Sequence, residues 1–180
     1  AEGAAQAVIV GNSAGGQWAA KFALTHPDRV AGLVLVDAAV LQGGGTPDFV
    51  RPLLNTPQLA RVGPFLLRQT NPWDEAFLRG LWFAPEELTV ADVAVYQAQL
   101  RVGAWDEALW QVTVQSRPLT TEERQALSDL TVPALVVNGA EDTLVPAGVS
   151  AELADLLPNG TLALLPDCGP LPQEECPAAF

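Results

Sequence analysis

The sequence predicts an α/β domain, a mostly parallel sheet flanked by helices and interrupted by a helical insertion. Three observations lead there. Four short apolar runs, at residues 7–10, 33–36, 134–137 and 162–165, are continuously apolar rather than alternating. That is how strands read when helices cover both faces of a parallel sheet. Helical stretches separate the first two runs and the last two at the lengths of a βαβ unit. From residue 41 to residue 127 the strand pattern stops and helical patterning replaces it.

The elements follow in chain order. After the first run, "SAGGQWAAKFALTH" reads as a helix that must stop before Pro27. The second run, "LVLV", follows. A flexible "GGG" at 43–45 opens the insertion. Within it, "DEAFLRGLWF" sets Phe77, Leu78, Leu81 and Trp82 on one helical stripe, and "VADVAVYQAQL" sets Val90, Val93, Gln97 and Leu100 on another. "TTEERQALSDL" starts with Thr120 and Glu123 at capping-box spacing and turns Leu127 and Leu130 inward. The third run precedes "PAGVSAELADLLPNG", a helix closed by Pro158 and Gly160. The expected organisation is a core of residues 1–40 and 128–180 around an insertion at 41–127.

Composition narrows the function. At 180 residues and 49% hydrophobic content the chain can bury a real core, and a mean hydropathy of +0.20 excludes a disordered chain. A net charge of -12 with nine Lys and Arg argues against nucleic acid and against anionic membrane surfaces as partners. No apolar run is long enough for a membrane span. Met is absent, and "AEGAAQAVIV" runs almost directly into a strand without a basic leader pattern. A piece of a longer protein is therefore expected, with an exposed apolar edge at its first strand. The compartment is left open. Cys168 and Cys176 fit no metal-ligand pattern, and two thiols in a chain of this size are expected to be reduced.

The chemistry starts at "VIVGNSAGG". Gly11-Asn12-Ser13-Ala14-Gly15 is a G-x-S-x-G with a strand directly before it and a helix directly after it. That context gives a tight strand-to-helix turn presenting the Ser13 hydroxyl, with the Ala14 N–H at the helix start aimed at a developing oxyanion. In "LVVNGAEDTLVP", Asp142 lies just past the end of a strand, where open α/β sheets carry functional residues. A carboxylate there can orient an imidazole. Glu141 is the weaker choice.

On "GNSAGG", "HPDRVAGLVLVDAA", "VPALVVNGAEDTLVP" and "LPDCGPLPQEECPAAF", the chain resembles the C-terminal part of the α/β-hydrolase fold family, in its lid-bearing serine branch. The match covers residues 5–40 and 128–180 in the order serine, acid, histidine loop. The resemblance implies Ser13 as nucleophile, Asp142 as acid, the segment 41–127 as a lid, and no cofactor or metal. Asn12 in "GNS" resembles a variant found in carbon–carbon bond hydrolases and some esterases. A serine nucleophile argues against the dehalogenase and epoxide hydrolase branches, which use Asp.

Two departures stand out. The family pattern C-G-H-x-P-x-E-x-P reads "CGPLPQEECP" here, so Pro170 occupies the histidine position while Gly169, Pro172, Glu175 and Pro177 keep register. The family's earlier strands and upstream oxyanion loop have no counterpart. The one histidine, His26, lies at the far end of the helix after Ser13, on the order of 20 Å away, far beyond the hydrogen-bond reach of a general base. Glu175 is expected to make structural hydrogen bonds.

The expected function is a serine-type hydrolase, carboxylesterase-like or C–C hydrolase-like, truncated and impaired at Pro170, with a small apolar ester or related substrate. The alternative is a non-catalytic homologue that binds a small apolar ligand. Among the insertion's tryptophans, Trp73, Trp82, Trp105 and Trp110, the candidates for substrate contact are Trp82 and Trp105, with Asn12. Ordinary helix packing explains tryptophans there as well. Oligomeric state is left unassigned.

Overall fold

A computed structural model describes residues 3–42, 46–47, 49–70 and 72–180. The expected "GGG" at 43–45 lies outside the described residues. Four strands, β1 (Ala7–Asn12), β2 (Val30–Val36), β3 (Ala134–Gly139) and β4 (Gly160–Leu165), form one sheet in the order β1-β2-β3-β4. Every pairing is parallel, with Ile9 against Leu33, Val36 against Val137 and Val137 against Ala163. The α/β fold class read from the sequence is the one found.

Crossovers between parallel strands require long connections, and helices supply them. Helix α1 (Ala14–Thr25) links β1 to β2 and stops where Pro27 follows, its last turn closed by His26 N–H donating to Phe22 O at 2.8 Å. Between β2 and β3 come α2 (Arg51–Leu54), α3 (Pro57–Arg68), α4 (Glu75–Leu81), α5 (Val90–Ala98), α6 (Trp105–Gln115) and α7 (Thr121–Ser128). Helix α8 (Ala147–Leu156) links β3 to β4, and the short α9 (Pro172–Glu175) follows β4. Gly160 restarts the chain after α8 where a Cβ would overlap the Ala154 carbonyl.

The chain divides into two compact units. One comprises Ala1–Gly43 with Pro118–Phe180, the other Gly44–Arg117. The insertion expected at 41–127 is thus too long at its C-terminal end. Helix α7 belongs with the sheet because its apolar face is buried there: Leu127 and Leu130 join Ala20, Leu33, Leu35, Val136 and Leu153 in the main hydrophobic core. The Thr120–Glu123 capping box is formed in full.

The outer strands depart from the expectation of burial on both faces. Central β2 and β3 are largely buried, but Val8, Val10, Leu162 and Leu164 are exposed, because β1 and β4 are the sheet's edges. In the second unit, α3 and α6 lie against each other so closely that a Cβ on Gly63 would overlap the Trp110 ring. Arg68 Nε donates to the buried Asp106 Oδ2 at 2.6 Å across the same pair. Helix α5 carries a second capping box, Thr89 with Asp92. On the expected stripes Leu78, Trp82 and Val93 are buried while Phe77 and Val90 are exposed. Among the described residues no helix is long and apolar enough to cross a membrane.

Candidate active site

Ser13 stands between β1 and α1 at φ 51°, ψ -121°, a left-handed conformation that ordinary residues avoid. Its backbone is held on both sides. Ser13 N–H donates to Val36 O at 2.9 Å, and Ser13 O accepts from Gly16 N–H at 3.0 Å and Ala39 N–H at 3.1 Å. The turn is tight enough to dictate its neighbours. A Cβ on Gly11 would overlap the Gly15 carbonyl, and one on Gly16 would overlap Ala38. Gly15, the last residue of the pentapeptide, has nothing within 4 Å of its would-be Cβ. The glycine that sterics demand after the serine is therefore Gly16, which belongs to the same "GNSAGG" but falls outside the pentapeptide.

Ser13 is exposed, and among the described residues its hydroxyl has no hydrogen-bond partner. Ala14 is the first residue of α1, so its N–H is one of the donors that a helix leaves unpaired at its start. Asn12 donates from Nδ2 to Val36 O at 3.2 Å and to Pro170 O at 3.4 Å. The residue before Ser13 is thereby tied to the backbone of position 170.

Asp142 is buried in the turn after β3. Its Oδ1 accepts from Leu144 N–H at 2.6 Å and Val145 N–H at 3.0 Å, while its Oδ2 is buried without a donor. That turn is braced from below by a network the sequence reading passed over. Buried Asn138 donates to Val145 O at 3.2 Å and accepts from the Ser150 hydroxyl of α8. Also passed over is Asp37, which directly follows β2. It is 1% exposed, at φ 41°, and its Oδ1 accepts from Gly139 N–H at 2.9 Å. Burial, and after it the neighbouring Asp142 and Glu175, push its carboxyl up from 3.8 to about 8, against a lowering contribution from Gly139 N–H. The signal was available, since an acid at a strand's C-terminal end is the rule that selected Asp142.

Pro170 is buried in a loop fixed on both flanks. Glu175 accepts from Gly169 N–H at 3.1 Å and from Leu171 N–H at 3.0 Å, the structural use expected of it. Glu141 accepts from Cys168 N–H at 3.0 Å. Cys168 and Cys176 form a disulfide, contrary to the expectation of reduced thiols. Helix α9 folds the chain back on itself and brings their Cα atoms to 6.1 Å, within bridging range.

His26 caps the distant end of α1, stacked on Phe22 with its Nδ1 2.8 Å from Thr25 Oγ1. In the second unit, Trp82 is buried and Trp105 half-buried, the latter lining a cavity of about 440 Å³ with Arg68, Gln97 and Leu100. Trp73 contacts Phe77 and Tyr96. Among the described residues no cluster of three or more His, Cys, Asp or Glu could hold a metal ion.

A parallel sheet with a strained serine between strand and helix, and acids at the following strand ends, defines the α/β-hydrolase class. The chain belongs to that family, matching the alpha/beta hydrolase fold over residues 2–177. It is 28% identical to a pimeloyl-(acyl-carrier protein) methyl ester esterase of Nitrosomonas europaea, over 96% of this chain and 67% of that protein. It is 31% identical to a 2-hydroxymuconate semialdehyde hydrolase of Pseudomonas putida, over 93% of this chain and 57% of that protein. A solved serine hydrolase from the polyaromatic hydrocarbon-degrading bacterium Cycloclasticus zankles superimposes with a TM-score of 0.71 at 22% identity, over all of this chain and 62% of that one. The chain thus spans between about half and two thirds of the length of these relatives.

Proposed function

We propose that this chain carries the nucleophile elbow and acid of a serine-type hydrolase acting on a small apolar ester, or on a related acyl or carbon–carbon substrate, and that it is impaired. The observation that carries the reading is Ser13, exposed at φ 51° in a turn whose neighbours at 11 and 16 must be glycine. In this reading Ser13 Oγ attacks the substrate carbonyl, and the Ala14 N–H stabilises the resulting oxyanion. Asp142 orients an imidazole that would take the serine's proton. The unit Gly44–Arg117 serves as lid, with Trp82 and Trp105 as candidate substrate contacts. The names of the relatives, an esterase and a semialdehyde hydrolase, support hydrolysis of a small molecule.

Impairment follows from Pro170. Proline offers no proton acceptor where the base belongs, and serine without a base is a poor nucleophile. Loss of the histidine in a serine protease costs on the order of 10⁶ in kcat. A non-catalytic, ligand-binding role is the second reading, favoured by the same residue. One experiment separates them: a fluorophosphonate probe and short p-nitrophenyl esters offered to the parent, Pro170→His and Pro170→His/Ser13→Ala. The hydrolase reading expects labelling that rises by orders of magnitude in Pro170→His and vanishes in the double variant. A folded Pro170→His that stays unlabelled overturns it in favour of binding.

A further inference from the structure

Two buried carboxylate oxygens, Asp37 Oδ2 and Asp142 Oδ2, have no donor among the described residues. Buried polar atoms are rarely left so, because each forfeits its hydration without return. The two residues emerge side by side. Strands β2 and β3 are hydrogen-bonded neighbours in register at Val36 and Val137. Asp37 N–H donates to Val137 O at 2.9 Å, and Asp142 N–H donates to Gly139 O at 3.2 Å. Each carboxyl spends Oδ1 on backbone donors, Asp37 on Gly139 and Asp142 on Leu144 and Val145. What remains on each carboxyl is one buried oxygen without a donor, on two residues that both bond Gly139, Asp37 through the Gly139 N–H and Asp142 through the Gly139 carbonyl.

We propose that Asp37 is a positioning residue whose Oδ2 carries a proton shared with Asp142 Oδ2, one O–H···O bond that satisfies both orphaned oxygens and fixes the Asp142 carboxylate. Two ionised carboxylates buried side by side repel, and a proton held between them removes the repulsion. The groups that face Asp37 deepen the effect. Asp142 comes from the turn after β3 and Glu175 from α9, and both are acidic. The upward push on Asp37 to about 8, chiefly by burial, agrees with a neutral acid at neutral pH. On the reading of position 170 given above, the Asp37 O–H supplies Asp142 with the donor that an imidazole would otherwise supply. The shared proton itself does not depend on that reading.

The folded chain keeps a proton on Asp37 that the unfolded chain releases near 3.8. The associated stability is complete below that value and is lost as pH rises through about 8. The test is a side-chain ¹³C NMR titration of the whole chain labelled at aspartate, with urea midpoints measured in parallel from about pH 5 to about pH 9. The parent is expected to show one aspartate titrating near 8 and a midpoint that falls as pH rises. Asp37→Asn keeps a donor toward Asp142 and an acceptor toward Gly139, so it should lose that titration and flatten the slope. Asp142→Asn removes the charge but keeps a partner, so the Asp37 titration should move down by more than one pH unit. If every aspartate of the parent titrates below about pH 5, or if Asp142→Asn leaves a titration near 8 unmoved, the shared proton is wrong. Neither readout involves catalysis, so its failure is separate from failure of the hydrolase reading.

Discussion

The two units of this chain hold themselves together by different means. In the sheet-bearing unit, contacts are backbone against backbone. Gly11 and Gly16 let β1 turn into α1, Gly139 lets β3 meet the Cys168–Gly169 backbone, and a single apolar cluster gathers the helices onto the sheet. In the helical unit, side chains do the work. Trp110 fills the space that Gly63 leaves, Arg68 neutralises the buried Asp106, and one capping box and two N-cap side chains start helices. Backbone closeness tolerates few residues and so leaves motifs in a sequence. Side-chain packing has many solutions and leaves little to read.

The largest expected effect bears on the backbone-limited unit. Gly11→Ala places a Cβ into the Gly15 carbonyl, where only backbone can move, and should cost about 3 kcal/mol or more in denaturant unfolding. Gly15→Ala, two residues past Ser13 in sequence and exposed, should be neutral or stabilising by about 0.5–1 kcal/mol, because α1 gains alanine's helix propensity. Similar costs for both would refute the steric account of the elbow. Next is Gly63→Ala, which meets a ring that can shift, and should cost about 2 kcal/mol. Hydrogen exchange should locate that loss in α3 and α6 and spare the strands. The smallest effect sharpens the comparison further. Thr120→Ala and Thr89→Ala remove equivalent capping boxes, one in each unit, at about 1 kcal/mol apiece. Amide protection should fall in α7 for the first and in α5 for the second. Loss in the other unit's helix would contradict the division.

The contrast also explains what could be read from the sequence. All four strands lay within a few residues of where their apolar runs placed them, and α1, α7 and α8 followed from Pro27, the Thr120–Glu123 box and Pro158 with Gly160. Exposure of Val8, Val10, Leu162 and Leu164 was not legible, because strand composition does not state which strand is an edge. Helix α3 was hidden by Pro64 in its interior, and α6 by a stripe interrupted at Asp106, whose burial needs an arginine 38 residues earlier. The Thr89–Asp92 box was visible and missed. At the site, the candidates Ser13, Asp142 and Pro170 were legible in motif and register. Asp37 was visible as an acid directly after a strand, but its place next to Asp142 was not, because that depends on the pairing of β2 with β3.

The disulfide gives Pro170 a further consequence. Cys168 and Cys176 close a short ring that contains Pro170 and Pro172, and Glu175 clamps it from inside. Cross-link and prolines act mostly on the unfolded chain, by removing conformations it would otherwise visit, and a ring of this length is worth about 2–3 kcal/mol by that count. Proline at 170 therefore makes the fold easier to keep at the one position where the hydrolase reading needs a base. Restoring histidine would return freedom to the unfolded chain, yet the ring would still present the new side chain from a loop with little room to search.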